Sequence, residues 1–330
     1  MRFSQIIQPI KPLLVIVLVI TSAHARATDG IANNSFSSFG IGIQVLGYQE
    51  DFSGIDFNIN SSTTPISVVQ YSGAYTAIND TDGFYINTTS PLFNVSSTED
   101  WEVSPGLVIP PANFPNVQSN HTELGLSHIN LFFSRLYAPG QQARIGVRYS
   151  THNFTRYNFS AGLDAQDFNQ WLIDTEPDNL DYADGIAFAI PGCTNDTSPP
   201  VYEMACTSVA ILEQVSTLSL SIGYKYDTYF IRGYTGPRFS FATTLATPIF
   251  YIVNNTLSPG TNLIGSFGGG YDISTNLSLA IIDKNSFQLN LGMDAALMHR
   301  NQVSLTSSNL TYPNSDTYSV TGYLSFDWSF

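Results

Sequence analysis

Along most of the chain apolar and polar residues alternate with a period of two, the pattern of strands that keep one greasy face. Tyr318, Val320, Leu324, Phe326, Trp328 and Phe330 alternate with Thr317, Ser319, Thr321, Ser325, Asp327 and Ser329, and the chain stops on that aromatic residue. Leu218, Leu220, Ile222, Tyr224 and Tyr226 oppose Ser219, Ser221, Gly223 and Lys225. Tyr271, Ile273, Leu277, Leu279 and Ile281 oppose Asp272, Ser274, Asn276 and Ser278, and Phe287, Leu289, Leu291, Met293 and Leu297 oppose Gln288, Asn290 and Asp294. In the first half, Phe39, Ile41, Ile43 and Val45 oppose Gly40, Gly42 and Gln44, and Val69, Tyr71, Tyr75 and Ala77 oppose Gln70, Ser72 and Thr76. Further strands are predicted from Phe84, over 123–137 and over 143–156; the second slips phase between Leu126 and Ile129, which predicts a bulge. Weaker runs at 229–235, 238–245 and 248–253 bring the predicted count to twelve. Boundary errors of about two to four residues leave ten and fourteen open.

Connection lengths alternate as well. They are long at 49–64, short at 79–83, long at 92–122, short at 138–142 and very long at 157–215, then moderate at 254–261, short at 283–286 and long at 301–315. Short turns at one end and long loops at the other, with an even strand number, describe an up-and-down barrel with both termini on the short-turn side. The terminal strand, with Leu324, Phe326, Trp328 and Phe330 on one face, resembles the C-terminal targeting strand of Gram-negative outer-membrane β-barrels. That resemblance implies an all-β transmembrane antiparallel barrel, assembly through the barrel-assembly machinery with those four residues as its signal, and an outer-membrane address among lipid and lipopolysaccharide.

The amino-terminus agrees with export. Arg2 and Lys11 precede an apolar run from Leu13 to Ile20 and small residues ending at Ala27, which reads as a signal peptide over 1–27 with the barrel in 28–330. Beyond it no stretch approaches the roughly 20 apolar residues that a spanning helix needs. Aromatic residues make up 13% and charged residues 12% of the chain, against about 25% charged in a soluble protein. A barrel accounts for both numbers, with aromatic girdles outside and small polar residues in the lumen. Without the signal segment nine Lys and Arg face 26 Asp and Glu, which argues against nucleic acid as a partner.

The acids gather in the predicted outer loops. Residues 157–215 hold ten of them and no Lys or Arg, and Asp174, Glu176, Asp178, Asp181 and Asp184 offer weak Ca²⁺ or Mg²⁺ binding without the spacing of a dedicated metal motif. No cofactor is expected. Cys193 and Cys206 lie in the same segment of an exported chain, where a disulfide is the default expectation.

By parity Arg144, Arg148, Lys225, Arg232 and Arg238 point into the lumen from one side, and Asp272, Asp294 and Asp327 from the last strands. A basic wall facing an acidic one resembles the transverse field of a porin constriction, so a passive channel for small hydrophilic solutes is the first functional expectation. The second is a non-conducting surface barrel whose acidic outer loops bind divalent cations, lipopolysaccharide or another cell. A third, a hydrolase at the rim, would rest on His128 and His152 with Ser127, Ser150 or Asp167. No G-x-S-x-G elbow accompanies them, and the chain is not expected to be an enzyme.

Overall fold

The computed structural model describes residues 35–53, 57–105, 113–168, 171, 193–195, 204–206, 210–231, 234–256, 262–284, 287–305 and 310–329. The expected signal segment 1–27, the acidic cluster Asp174 to Asp184, Arg232 and Phe330 lie outside these residues. The strands in chain order are β1 (Phe36–Ser53), β2 (Phe57–Thr63), β3 (Ile66–Ala77), β4 (Asp82–Val95), β5 (Ser97–Pro105), β6 (Phe114–Ala138), β7 (Gln141–Ala161), β8 (Cys193–Asn195) and β9 (Met204–Cys206). They continue with β10 (Ala210–Asp227), β11 (Phe239–Asn255), β12 (Asn262–Gly265), β13 (Gly270–Lys284), β14 (Phe287–Arg300), β15 (Val303–Leu305), β16 (Leu310–Tyr312) and β17 (Asn314–Ser329).

Ten of them form one antiparallel ring in the order β1, β3, β4, β6, β7, β10, β11, β13, β14, β17. The ring closes through β17 onto β1, with Ile41 opposite Leu324 and Val45 opposite Val320. Closure leaves no unpaired edge, which a sheet crossing lipid cannot tolerate. The ring therefore has ten strands and not twelve. The runs 238–245 and 248–253 are one strand, β11, and the run 229–235 begins as a 3-10 turn at Thr228–Phe230 capped by Asp227.

The predicted long gaps at 49–64 and 92–122 are mostly strand. Beta1 runs on to Ser53, and β2 and β5 fill the ring above β3 and β4 by pairing β1 with β2, β2 with β5 and β5 with β6. Beta2 and β3 are in effect one strand broken at Thr64 and Pro65, where proline cannot donate to a ladder. The connection read as 157–215 likewise shrinks, because β7 reaches Ala161 and β10 begins at Ala210.

These extensions were hidden because the pattern inverts along each strand. On β1, Phe39, Ile41, Ile43 and Val45 point outward and are exposed while Gln44 is buried; past that point Leu46, Tyr48 and Glu50 point inward and Gln49 is exposed. The same inversion explains the phase slip on β6. Its pairing with β7 runs unbroken from His121 to Leu136, so no bulge lies between Leu126 and Ile129. Leu124 and Leu126 face the interior, whereas Leu131 and Phe133 face outward. The outward apolar band marks where the wall meets lipid, and the inward apolar stretch marks where it rises into water and needs a core of its own.

The opposite end is closed by tight turns. Asn79 Oδ1 accepts hydrogen bonds from the Thr81 and Asp82 amides at 2.9 and 2.8 Å, an Asx turn between β3 and β4. Gly140 joins β6 to β7 at φ +74°, a left-handed conformation that favours glycine.

Candidate functional site

Side chains from facing strands meet inside the ring at several heights. Near the turn end, Phe36, Tyr75, Tyr85 and Phe132 form an aromatic layer joined by Tyr229 and Phe230 of the 3-10 turn. Phe36 and Tyr75 stack at 5.7 Å, and Phe230 meets Tyr75 edge-on at 5.1 Å. Nearer the outer end, Leu46, Tyr48, Leu124, Leu126, Phe154 and Met298 form an apolar layer from β1, β6, β7 and β14. Its centre is the Tyr48 ring 4.8 Å from that of Phe154, a contact between strands nearly opposite in the ring.

Between the two layers lies a polar cavity of about 100 Å³. Arg144, Arg148 and Lys225 line one side of it, and Asp294 and Asp327 another. Arg148 reaches across the lumen from β7, donating to Ser274 on β13 at 2.9 Å and to Asn130 at 2.6 Å. Lys225 is paired with Asp227 at 2.8 Å. Tyr71 on β3 and Tyr323 on β17, the strands flanking β1, stack inside the ring at 5.0 Å.

Above the apolar layer the interior becomes ionic again. Arg156 on β7 pairs with Glu99 on β5 at 2.7 Å and Glu50 on β1 at 2.9 Å, all three buried. Glu99 also accepts from Ser61 and Asn120, each at 2.9 Å, and Glu50 accepts from the Tyr48 hydroxyl at 2.7 Å. The cluster thus ties together the extended ends of five strands. Burial disfavours the Arg156 charge, but Glu50 and Glu99 outweigh it and hold its pKa well above the ordinary value. Glu213, buried on β10, is pushed up to about 7 by burial and then by the Glu50 charge, against the pull of Arg156 and of Asn255, which donates to it at 2.9 Å. Outside this cluster Val103, Phe114, Val117, Phe159 and Ile211 make a small core, on which Phe168 and Trp171 fold back.

The structure brings Arg144, Arg148, Lys225, Asp294 and Asp327 to one cavity, as parity predicts. Asp272 points inward but is locked onto Arg300, both fully buried, above that cavity. Arg238 sits at the turn-end mouth, paired with Asp283 at 3.0 Å and over the Tyr229 ring. Leu324, Phe326 and Trp328 are exposed on the outer wall. His128 lines the cavity and His152 is buried inside the wall, so neither stands at the rim. Cys193 and Cys206 are directly opposite in the β8–β9 ribbon. The sequence reading missed Arg156, Glu50, Glu99, Glu213 and Arg300. Arg156 shares the parity of Arg144 and Arg148, and Arg300 that of Asp294, so both were legible; the three glutamates lay in stretches taken for loops.

No protein-family model matches the sequence, and no curated protein matches it at a significant level. Solved structures do match in shape. The outer-membrane protease OmpT from Escherichia coli aligns over 92% of this chain and 100% of its own, at 8% identity and a TM-score of 0.53. The translocator domain of the autotransporter NalP from Neisseria meningitidis aligns over 99% and 98%, at 8% identity and a TM-score of 0.34. A FadL homologue from Pseudomonas aeruginosa aligns over 90% and 91%, at 8% identity and a TM-score of 0.29. Of these three, the likeness to OmpT bears on the fold, and on the fold alone. A closed ten-stranded ring with an outward apolar band and this likeness has the fold of the Gram-negative outer-membrane β-barrels.

Proposed function

We propose that the chain works as a closed outer-membrane barrel whose working surface is its outer end, and not as an open diffusion pore. The observation that carries this reading is the pair of side-chain layers crossing the lumen, one around Phe36, Tyr75 and Phe132 and one around Tyr48, Phe154 and Leu126. A ten-stranded barrel is narrow enough for such layers to fill it. Most of the charges expected to select solutes are also engaged with one another or with neutral partners, as with Arg148 on Asn130 and Ser274 and Asp272 on Arg300. In this reading the acidic outer connection, with a disulfide between Cys193 and Cys206, meets divalent cations, lipopolysaccharide or another cell. The inward placement of His128 and His152 speaks against a hydrolase at the rim.

Planar-bilayer recording of refolded, heat-modifiable protein is the test. Silence from the wild type, with conductance gained on Tyr48→Ala together with Phe154→Ala and Phe36→Ala, is expected. Stable wild-type steps whose selectivity shifts on Arg148→Ala or Asp294→Ala would replace this reading with the porin-like channel.

A further inference from the structure

Arg144 is the one arginine of the lumen that has been left without a polar partner among the described residues. It is 6% exposed, and neither its Nε nor its Nη2 has a hydrogen-bond partner. The other buried arginines each have a polar partner, although Arg300 too keeps an unpartnered Nη2. Arg156 has two glutamates, Arg300 has Asp272, and Arg148 has the side-chain oxygens of Asn130 and Ser274. What Arg144 has is two ring faces, Phe132 at 4.2 Å and Tyr85 at 4.7 Å from the centre of its guanidinium. Cation–π contacts stabilise a desolvated guanidinium but leave its N–H donors unanswered. Each unanswered buried donor is a cost to the fold, and a larger one where the group is charged.

The same guanidinium borders the cavity of about 100 Å³, with Arg148 four residues along on the same face and Gly146 between them adding no side chain. A water needs only about 10–15 Å³ measured this way, so there is room for a small ion and a few waters. Arg144 and Arg148 are both without a carboxylate within ion-pair distance among the described residues. Their charge therefore falls on the cavity, where Lys225 and Asp227 answer each other, while Asp294 and Asp327 on other walls set an upper limit on the negative charge it can accept.

We propose that this cavity is a binding site for a small monovalent anion, a halide or a one- or two-carbon carboxylate, held by the Arg144 guanidinium with Arg148 behind it. A dianion such as sulfate is excluded, because its second charge faces Asp294 and Asp327. The proposal goes beyond the closed-barrel reading and does not depend on it, since an ion trapped at folding and an ion exchanged through a pore meet the same arginine.

The direct test is diffraction from wild-type protein refolded and crystallised in bromide, with data taken at the bromine edge. An anomalous peak within hydrogen-bond distance of Arg144 is expected, and loss of that peak in Arg144→Gln. A bromide map with an ordered Arg144 and no lumen peak overturns the site. In solution, the unfolding midpoint of the refolded barrel at constant ionic strength should rise as sulfate is replaced by bromide or formate, and Arg144→Gln should flatten that rise. A wild-type midpoint indifferent to the exchange would also overturn it, whatever the bilayer recordings show.

Discussion

Two heights of the same strand obey opposite rules. On β1 the residues facing lipid are Phe39, Ile41, Ile43 and Val45, each 40% exposed or more, and the interior they enclose is Ser38, Gly40, Gly42 and Gln44. A few residues further on, Leu46, Tyr48 and Glu50 fill the interior and Gln49 faces out. The backbone does not change, since β1 stays paired with β17 from Phe36 to Asp51. What changes is the solvent outside. Lipid offers the lower wall an apolar environment and so lets its lumen be polar, whereas water around the upper wall leaves the interior as the place to bury apolar surface. The upper ring is then a small water-soluble domain built on a membrane barrel, and its buried ionic cluster is the part most exposed to failure.

The largest effect is therefore expected from Arg156. Replacing it by methionine keeps much of the volume but leaves Glu50 and Glu99 buried without their cation, a loss of about 3–5 kcal/mol. The damage should stay above the membrane: hydrogen exchange in β2 and β5 should accelerate while heat-modifiability of the barrel persists. Unchanged protection in those strands would mean that the upper ring is held by its apolar core around Val103 and Phe114 and not by the ion cluster.

The inversion itself is broken by moving one charge along one strand. Arginine at Ile43 faces the lipid band and is expected to cost about 2–4 kcal/mol, whereas arginine at Gln49, six residues on and also outward, should cost almost nothing. Reversible folding into vesicles of the two single variants measures the difference. Equal costs would mean that the apolar band extends past Val45.

How far the fold could be read from the sequence follows from the same inversion. Where lipid lies outside, each strand shows a clean alternation, and β10, β13, β14 and β17 were legible residue by residue. A barrel was implied by the resemblance of the last strand, and its closure by β17 on β1 is seen in the register. The upper wall was illegible because its outward face is polar like a loop and its inward face mixes Glu99 with Trp101 and Val103, so Ser97–Pro105 carries too few apolar residues for a period to stand out. At Leu126 and Ile129 the two regimes meet, and a change of medium mimics a bulge. The cavity residues were found by parity alone. Which inward charges are paired was not legible, because Arg300 with Asp272 and Arg156 with Glu50 are contacts between strands, set by register that no local pattern encodes.

The smallest predicted effect concerns pH and separates the two heights once more. Glu213 lies above the membrane band, buried and near Glu50, with its pKa raised to about 7 from 4.5. The folded state thus holds this proton more tightly than the unfolded chain does. Its contribution to stability is fully present below about pH 4.5 and is lost as the pH rises through 7, by no more than about 3 kcal/mol. That direction is opposite to the usual carboxylate, which is stabilised in its charged form. Exchange protection of the amides around Val215, corrected for intrinsic rates, should fall between pH 5 and pH 8 in the wild type and stay level in Glu213→Gln, while amides of β17 facing the lipid band should be indifferent to both changes. A loss of protection shared equally by β17 would mean that the upper ring and the membrane barrel open as one cooperative unit, and that the change of rule along each strand is a change of packing without a change of stability.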